Sequence, residues 1–423
     1  MPFHTKGSDP EQQARELIDA ALGAAGWLVQ GRDEINLSAG RGVAVCEYAL
    51  KPGHGYADYL LFLDEKPVGV VEAKPAGHTL SGVQTQAEKY LTGLPDELSP
   101  PIRPLPFLYS STGTETMFRC DLDPDPRSRR VFSFHRPETF ADWLRQTPLA
   151  EWVEGWRAPQ ELKRRDLDLT RPATLRSRLR AMPDVYIPGL WANKVEGITR
   201  LEESLYHNRP RALIQMATGS GKTKLAITSS YRLIKYAGAR RILFLVDRSN
   251  LGEQAEKEFQ SYFAPDINRK FTELYNVQRL TSNTIAESAK VVITTIQRLY
   301  SMLSGEPELD PELEEHSQYD TGALVPGQPV HVAYNTAIPI EYFDVIWIDE
   351  CHRSIYSIWR EVVEYFDAFL IGLTATPAKH TFGFFNKNLV MEYGHEQAVA
   401  DGVNVDFDVY NIRTRITREG STI

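Results

Sequence analysis

Cysteine is scarce and scattered: Cys46, Cys120 and Cys351 are the only three in 423 residues. Their odd number and wide separation exclude a disulfide framework. None of the gaps has the short spacing of a metal knuckle, so the reducing cytoplasm is the expected compartment. Long apolar runs are also missing. No stretch approaches the ~18 residues of a membrane span, and the opening MPFHTKGSDPEQQ has no signal-peptide core. Positive charge is not in excess: Lys and Arg number 47 against 56 Asp and Glu, a net charge of −9. That argues against coating nucleic acid through bulk charge, while leaving room for a local basic channel. No internal repeat is present. What remains, 42% hydrophobic and 24% charged residues, is enough to build the cores of a soluble chain of two or three domains.

The first segment opens with SDPEQQARELIDAALGAAGW. Ser8 or Asp9 can cap a helix there, Pro10 suits its first turn, Leu17, Ile18, Ala21 and Leu22 recur at helical spacing, and Gly26 fits its end. Strand-like runs GVAVCEYAL, ADYLLFL and PVGVVEA follow, then a helix at about Leu80–Leu91 and a further strand, FLYSSTG. This order predicts a small α/β domain ending near residue 140. Between Thr139 and Asp184 the pattern weakens into LKRRDLDLTRPATLRSRLRAMP. The simpler reading is a solvated, partly helical linker; the alternative is that Lys163, Arg164, Arg165, Arg176, Arg178 and Arg180 line a DNA path. From about Tyr186, buried-strand runs alternate with helical segments: ALIQM, RILFLVD, VVITT, FDVIWID and AFLIGLTA. These predict a parallel sheet, interrupted by an acidic surface insertion at about Ser304–Pro329.

Within GYADYLLFLDEKPVGVVEAK, two apolar runs flank the polar DEKP. Side chains alternate along a strand, so Glu72 and Lys74 share a face. A turn at about Glu65–Lys66 sets Asp58 opposite Ala73, give or take one residue, and brings Asp58, Glu72 and Lys74 to one end of the sheet. Two carboxylates are hard ligands for Mg²⁺, and a neighbouring lysine can orient a water or stabilise charge developing on a phosphate. The same residues would also serve as an ion pair closing a surface hairpin. Glu11 on the opening helix can add a carboxylate. Gln86 and Tyr90, four apart in QAEKY, fall on one helix face.

LIQMATGSGKT, Leu213–Thr223, sets a buried strand before a glycine-rich loop and a helix, the context of a phosphate-binding loop. Gly219 and Gly221 let the backbone approach phosphate oxygens, with Thr218 and Ser220 completing the loop. Lys222 can reach the β- and γ-phosphates of ATP, and the Thr223 hydroxyl can ligate Mg²⁺. In DVIWIDECH a strand ends at Asp349, placed for Mg²⁺, and Glu350, placed to polarise the attacking water. His352 either relays nucleotide state or simply bonds at a helix start. In GLTATP, Thr374 and Thr376 can bond back to the Asp–Glu box. Arg248, Thr294, Thr295 and Gln297 lie at other strand ends, where such sheets bind ligands, and can contact a nucleic-acid backbone.

PEQQARELIDAALGAAGW, GYADYLLF…VGVVEAK and QAEKY together resemble the PD-(D/E)xK nuclease domain of restriction subunits, with Ala57-Asp58 in place of Pro-Asp. That resemblance implies that Asp58 and Glu72 bind metal, that Lys74 is catalytic and that Gln86 and Tyr90 support them. ATGSGKT, LVDRSNL, TTIQ, DECH and TATP resemble, in order, five motifs of superfamily 2 helicases and translocases. IDECHRSIY, YNTAIPIEYFD and EYGHEQAVADGVNVDFDVYNIRT are similar to the restriction subunit of type I restriction–modification enzymes.

The implied fold class is α/β: a PD-(D/E)xK nuclease domain over 1–140, a linker over 141–185 and a first RecA-like P-loop parallel-sheet domain over 186–378. Residues 379–423 would then begin the connection to a second RecA-like domain. The implied function is ATP-dependent translocation and cleavage of unmodified double-stranded DNA, using ATP and Mg²⁺. Methyltransferase and specificity subunits are the implied partners. The alternatives are a helicase–nuclease of type III restriction or DNA repair, and a truncated, non-hydrolysing binding remnant. Two departures stand out. The glutamine that would read adenine near Leu190–Ile198 is missing, with Lys194 about in its place. Nothing after Thr376 resembles the remaining helicase motifs, so a fragment with poor ATP hydrolysis is expected.

Overall fold

The computed structural model describes residues 10–80, 93–154, 167–185, 189–315, 332–354 and 359–406. Two seven-stranded sheets organise them. The first runs in sequence order: β1 (Leu28–Gln30), β2 (Gly42–Ala49), β3 (Tyr56–Leu63), β4 (Lys66–Ala73), β5 (Phe107–Ser111), β6 (Thr116–Cys120) and β7 (Arg129–Val131). The β1–β2 and β4–β5 pairs are parallel and the others antiparallel. The helix Pro10–Ala24 lies on this sheet with Ala14, Ile18 and Leu22 buried, whereas Leu17 remains 48% exposed. Gly26 follows the helix at φ 90°, in the left-handed region that glycine fills without strain. The expected caps Ser8 and Asp9, and the expected helix near Leu80–Leu91 beyond its first residue, lie outside the described residues.

The β3–β4 hairpin sets the register of the first candidate site. Its turn is Asp64–Glu65, both at positive φ (45° and 66°), the two-residue turn whose twist matches that of the strands. Leu63 pairs with Lys66 and Phe62 with Pro67, and then the register shifts so that Leu61 faces Gly69 and Tyr59 faces Val71. The bulge at Val68 adds one residue to β4. Carried one pair further, this register sets Asp58 opposite Glu72. The expected pairing of Asp58 with Ala73 is therefore corrected by one residue: the turn comes earlier than expected, and the bulge restores part of the difference.

Strands β8 (Arg211–Met216), β9 (Ile242–Val246), β12 (Asn276–Arg279), β13 (Ala289–Thr295), β14 (Val345–Ile348), β15 (Phe369–Thr374) and β16 (Leu389–Tyr393) form the second sheet, in the order β12-β13-β9-β14-β15-β8-β16. Every pair is parallel. A two-stranded ribbon, β10 (Phe263–Ala264) with β11 (Arg269–Lys270), stands apart. The five expected strands are β8, β9, β13, β14 and β15, the interior of the sheet. The edge strand β12 (NVQR) has too little apolar sequence to be read in advance, whereas β16 (LVMEY) is largely apolar and is still not among the expected strands. Both faces are covered: Ile346 and Ile348 join one buried cluster, Val345 and Trp347 the other, as in parallel sheets generally.

The sheets meet through buried polar contacts. Arg129 on β7 forks onto Asp367, just before β15, with both contacts at 2.7 Å. His135 Nε2 lies 2.9 Å from the same carboxylate. Burial pushes the Asp367 carboxyl up, but Arg129 and His135 outweigh it and hold it well below the usual carboxylate range. Nearby, Glu341 accepts from Thr139 Oγ1 at 2.6 Å and from Arg136 Nε at 3.1 Å.

The arginines of the basic segment take neither expected role. Arg176 stacks over Phe369 and Arg178 over Trp152. Arg180 donates to the Tyr206 carbonyl. Their charge is absorbed by packing, so they are neither solvated nor arrayed along a DNA path. Lys163, Arg164 and Arg165 lie outside the described residues.

Candidate active sites

At the end of the β3–β4 hairpin, Glu11, Asp58, Glu72, Lys74 and His78 line one pocket. The geometry thus gathers the acids and the lysine that the alternation predicted. Asp58 Oδ2 accepts the Ala73 N–H at 3.0 Å, a bond that fixes the carboxylate across the hairpin. Its Oδ1 faces Arg15 Nη2 at 3.4 Å. Burial raises the Asp58 pKa, opposed by the Ala73 bond and Arg15. Lys74 Nζ pairs with Glu72 Oε1. Among the described residues no group of three or more His, Cys, Asp or Glu forms a ready metal cage. A hard divalent cation asks for less, since one or two carboxylates with water suffice for Mg²⁺. Cationic groups already stand at both carboxylates, so the donor set suits a positive ion. Gln86 and Tyr90 lie outside the described residues.

Arg15 escaped the sequence reading. It bridges Glu11 at 3.3 Å, Glu47 at 2.7 Å and Asp58 at 3.4 Å. The only advance signal was its position four residues after Glu11 on the opening helix.

The second site sits at the C-terminal ends of β8, β14 and β15, which are neighbours in the sheet. After β8, the loop carries Thr218 and Gly219 at its exposed rim. Gly219 and Gly221 are at φ 81° and 86°, conformations that only glycine adopts freely. Ser220 is buried and donates to the Ala217 carbonyl at 2.6 Å. Lys222 and Thr223 open the helix Lys222–Ala237, whose free N–H groups make an anion nest. Lys222 Nζ lies 3.9 Å from Glu350 Oε1.

After β14, Asp349 Oδ1 accepts the Glu350 N–H at 3.0 Å. Burial, then the charge of Glu350, pushes the Asp349 carboxyl up to about 6, against the pull of Lys222. Glu350 has φ 45°, a backbone setting that costs a non-glycine residue energy and concentrates at functional sites. His352 Nδ1 lies 2.9 Å from Thr374 Oγ1 and 3.5 Å from Glu350 Oε2. Burial lowers the His352 pKa, with Glu350 opposing. Thr376 donates its N–H to Thr374 Oγ1 at 3.1 Å. Of the two threonines, then, Thr374 reaches the Asp–Glu box, and Thr376 fixes Thr374.

Other residues expected to contact nucleic acid are withdrawn from the surface. Thr294, Thr295 and Gln297 are buried. Thr295 Oγ1 caps the helix Ile296–Leu303 and lies 2.5 Å from Glu314 Oε1. Arg298 also binds Glu314, so part of the acidic insertion packs on these strand ends instead of standing off the surface. Asn404, a residue not singled out in the sequence, donates to the Thr218 carbonyl at 3.1 Å.

Fold and site define a RecA-like P-loop domain joined in one chain to a mixed-sheet α/β unit whose hairpin end gathers Asp58, Glu72 and Lys74. A family model described as "Type III restriction enzyme, res subunit" matches residues 190–379. Another, "Type I restriction enzyme EcoKI endonuclease subunit second domain", matches residues 32–102. The chain is 28% identical to the EcoKI endonuclease subunit of Escherichia coli (strain K12), covering 97% of this chain and 36% of that protein. It is 26% identical to the EcoAI endonuclease subunit of Escherichia coli, over 91% and 42% respectively. A solved fragment of an HsdR subunit of a type I restriction enzyme from Vibrio vulnificus YJ016 aligns at 22% identity and a TM-score of 0.35, over 94% of this chain and 62% of that one. The chain is thus related, along nearly its whole length, to endonuclease subunits of type I restriction enzymes. It spans 36% and 42% of the length of the two curated relatives named. No described helix is long and apolar enough to cross a membrane.

Proposed function

We propose that the chain supplies the nuclease and nucleotide-binding parts of an ATP-dependent translocase and endonuclease, the motor and cleavage subunit of a type I restriction–modification complex acting on unmodified double-stranded DNA. The observation that carries this reading is the pairing of two sites in one chain. A phosphate loop after β8 and an Asp–Glu box after β14 stand at the same end of one parallel sheet, with β15 between them, and a separate hairpin gathers Asp58, Glu72 and Lys74. In this reading Asp58 and Glu72 hold Mg²⁺, which when bound supplies Lewis-acid stabilisation of the phosphate. Lys74 sets a cation beside the scissile group. Gln86 and Tyr90 are assigned supporting roles by resemblance.

At the nucleotide site, Lys222 takes the β- and γ-phosphates of ATP, and the loop Thr218–Gly221 cradles them through its backbone. Thr223 and Asp349 hold a second Mg²⁺, and Glu350 orients the attacking water. The His352–Thr374 bond ties the box to the next strand. Recognition and methylation would fall to specificity and methyltransferase partner subunits, in the cytoplasm. The family match over 190–379 also suits a type III motor; the type I match over 32–102 and the type I relatives favour the first reading.

The test is Mg²⁺-dependent cleavage of plasmid DNA by the complex assembled with this chain, beside Asp58→Ala and Lys74→Ala. The expected result is a loss of at least about 100-fold in each variant. Cleavage undiminished in Asp58→Ala refutes the nuclease assignment.

A further inference from the structure

Both carboxylate oxygens of Asp58 already have a partner. Oδ2 accepts the Ala73 N–H at 3.0 Å, and Oδ1 faces Arg15 Nη2 at 3.4 Å. A divalent cation at Asp58 must therefore contend with that guanidinium, both for Oδ1 and by like charge.

Where the guanidinium rests is decided from the next strand. The β2–β3 register pairs Cys46 with Tyr59 and Tyr48 with Ala57, which sets Glu47 across from Asp58. Both reach Arg15, so both stand on one face of the sheet. Glu47 Oε1 accepts from Arg15 Nη1 at 2.7 Å, the length of a charge-assisted bond. Nη2 is divided between Glu11 at 3.3 Å and Asp58 at 3.4 Å. The Glu47 bond does most to raise the Arg15 pKa; burial opposes it, and the charge of Asp58 adds less. Glu47 also stands at φ 49°, a backbone setting that is costly for a glutamate. A guanidinium anchored at Glu47 can give up its long contact with Asp58. Without that anchor it leans on Asp58 instead.

We propose that Glu47 is a positioning residue of the nuclease site. By holding Arg15 on the β2 side, it leaves Asp58 able to accept a divalent cation. Glu47 acts through Arg15 and not on the cation itself, and the inference rests on the nuclease reading above. Removing Arg15 and removing its anchor should then have opposite effects at Asp58.

The test is calorimetric titration of the 423-residue chain with Mg²⁺, following the binding component that disappears in Asp58→Ala. Glu47→Gln keeps the side chain's size and loses its charge, and it should weaken that component about two- to fivefold, the span of an exposed ion pair. Arg15→Met should tighten it. The double variant has no guanidinium to position, so it should bind Mg²⁺ as Arg15→Met does. A double variant that binds more weakly than Arg15→Met, by the factor that separates Glu47→Gln from the parent, means that Glu47 acts on the cation by its own charge and overturns the proposal. Glu47→Gln binding as tightly as the parent overturns it too, and leaves the nuclease reading standing so long as Asp58→Ala abolishes the component. Mg²⁺ binding undiminished in Asp58→Ala brings down both.

Discussion

Replacing Asp349 by asparagine should stabilise the nucleotide-free protein while removing its response to Mg²⁺-nucleotide. The carboxyl is raised from the ordinary 3.8 to about 6, first by burial and then by Glu350. At ~1.4 kcal/mol per pKa unit, that corresponds to about 3 kcal/mol as an upper value. Asp349 keeps some contact with solvent, so screening brings the expectation to roughly 1–3 kcal/mol. The sign follows from the direction of the shift. A carboxyl whose folded pKa is raised favours the fold while protonated, so its contribution is fully present below about pH 4 and is lost as pH rises through about 6. The asparagine variant, which can still accept the Glu350 N–H, lacks this loss. The stability difference should be near zero at pH 4 and reach its plateau above pH 7. Native-state hydrogen exchange of the β14 amides, corrected for the intrinsic rate at each pH, measures it. Mg²⁺-ATP should then protect the parent and leave the variant unchanged. A variant less stable than the parent at pH 8, or a gain that does not vary with pH, refutes the reasoning.

Asp367→Ala should cost ~3 kcal/mol in urea unfolding, because it removes the two close contacts of buried Arg129 and leaves only the longer 3.8 Å pair with Asp123; a variant as stable as the parent would contradict the ion-pair account. Gly69→Ala brings a Cβ to 2.3 Å from the Phe107 carbonyl oxygen, so β4 and β5 must separate, with an expected loss of ~1–3 kcal/mol; an unchanged melting temperature would contradict that close approach. Arg15→Met removes the cation that competes at Asp58 and should tighten Mg²⁺ binding about two- to fivefold, as read by calorimetry; weaker binding would mean that Arg15 instead organises the carboxylates for the ion.

The strand β15 carries both ends of the contact between the two halves of the chain. Its start follows Asp367, which the first sheet grips through Arg129 and His135. Its last residue, Thr374, touches His352 of the Asp–Glu box. All six residues of the strand are buried, in a sheet paired on both sides by β14 and β8. A strand so held does not stretch. The nucleotide box and the first sheet are therefore fixed to opposite ends of one rigid element.

The phosphate loop was legible in the sequence because its chemistry is local. Glycines at positive φ, a lysine and a hydroxyl residue must follow a strand and open a helix, and all of them lie within Leu213–Thr223. The interior strands were legible because burial on both faces leaves apolar runs; the edge strand β12 has no such run, whereas β16 has one in Leu389–Met391 that the sequence reading did not use. The hairpin site was legible only to within one residue. Alternation places Glu72 and Lys74 on one face, but the partner of Asp58 depends on a turn at Asp64–Glu65 and a bulge at Val68 that alternation cannot count. Least legible were the roles of charges. Arg176 and Arg178 read as solvated or DNA-facing because a basic run is usually exposed, and the partners that bury them, Phe369 and Trp152, lie far along the chain and meet them only in the fold. Arg15 escaped for the same reason, since Glu47 and Asp58 come within its reach only once the helix lies on the sheet. What a charged side chain does is decided by the groups the fold brings to it, and sequence spacing reports those groups only where a single turn or strand supplies them.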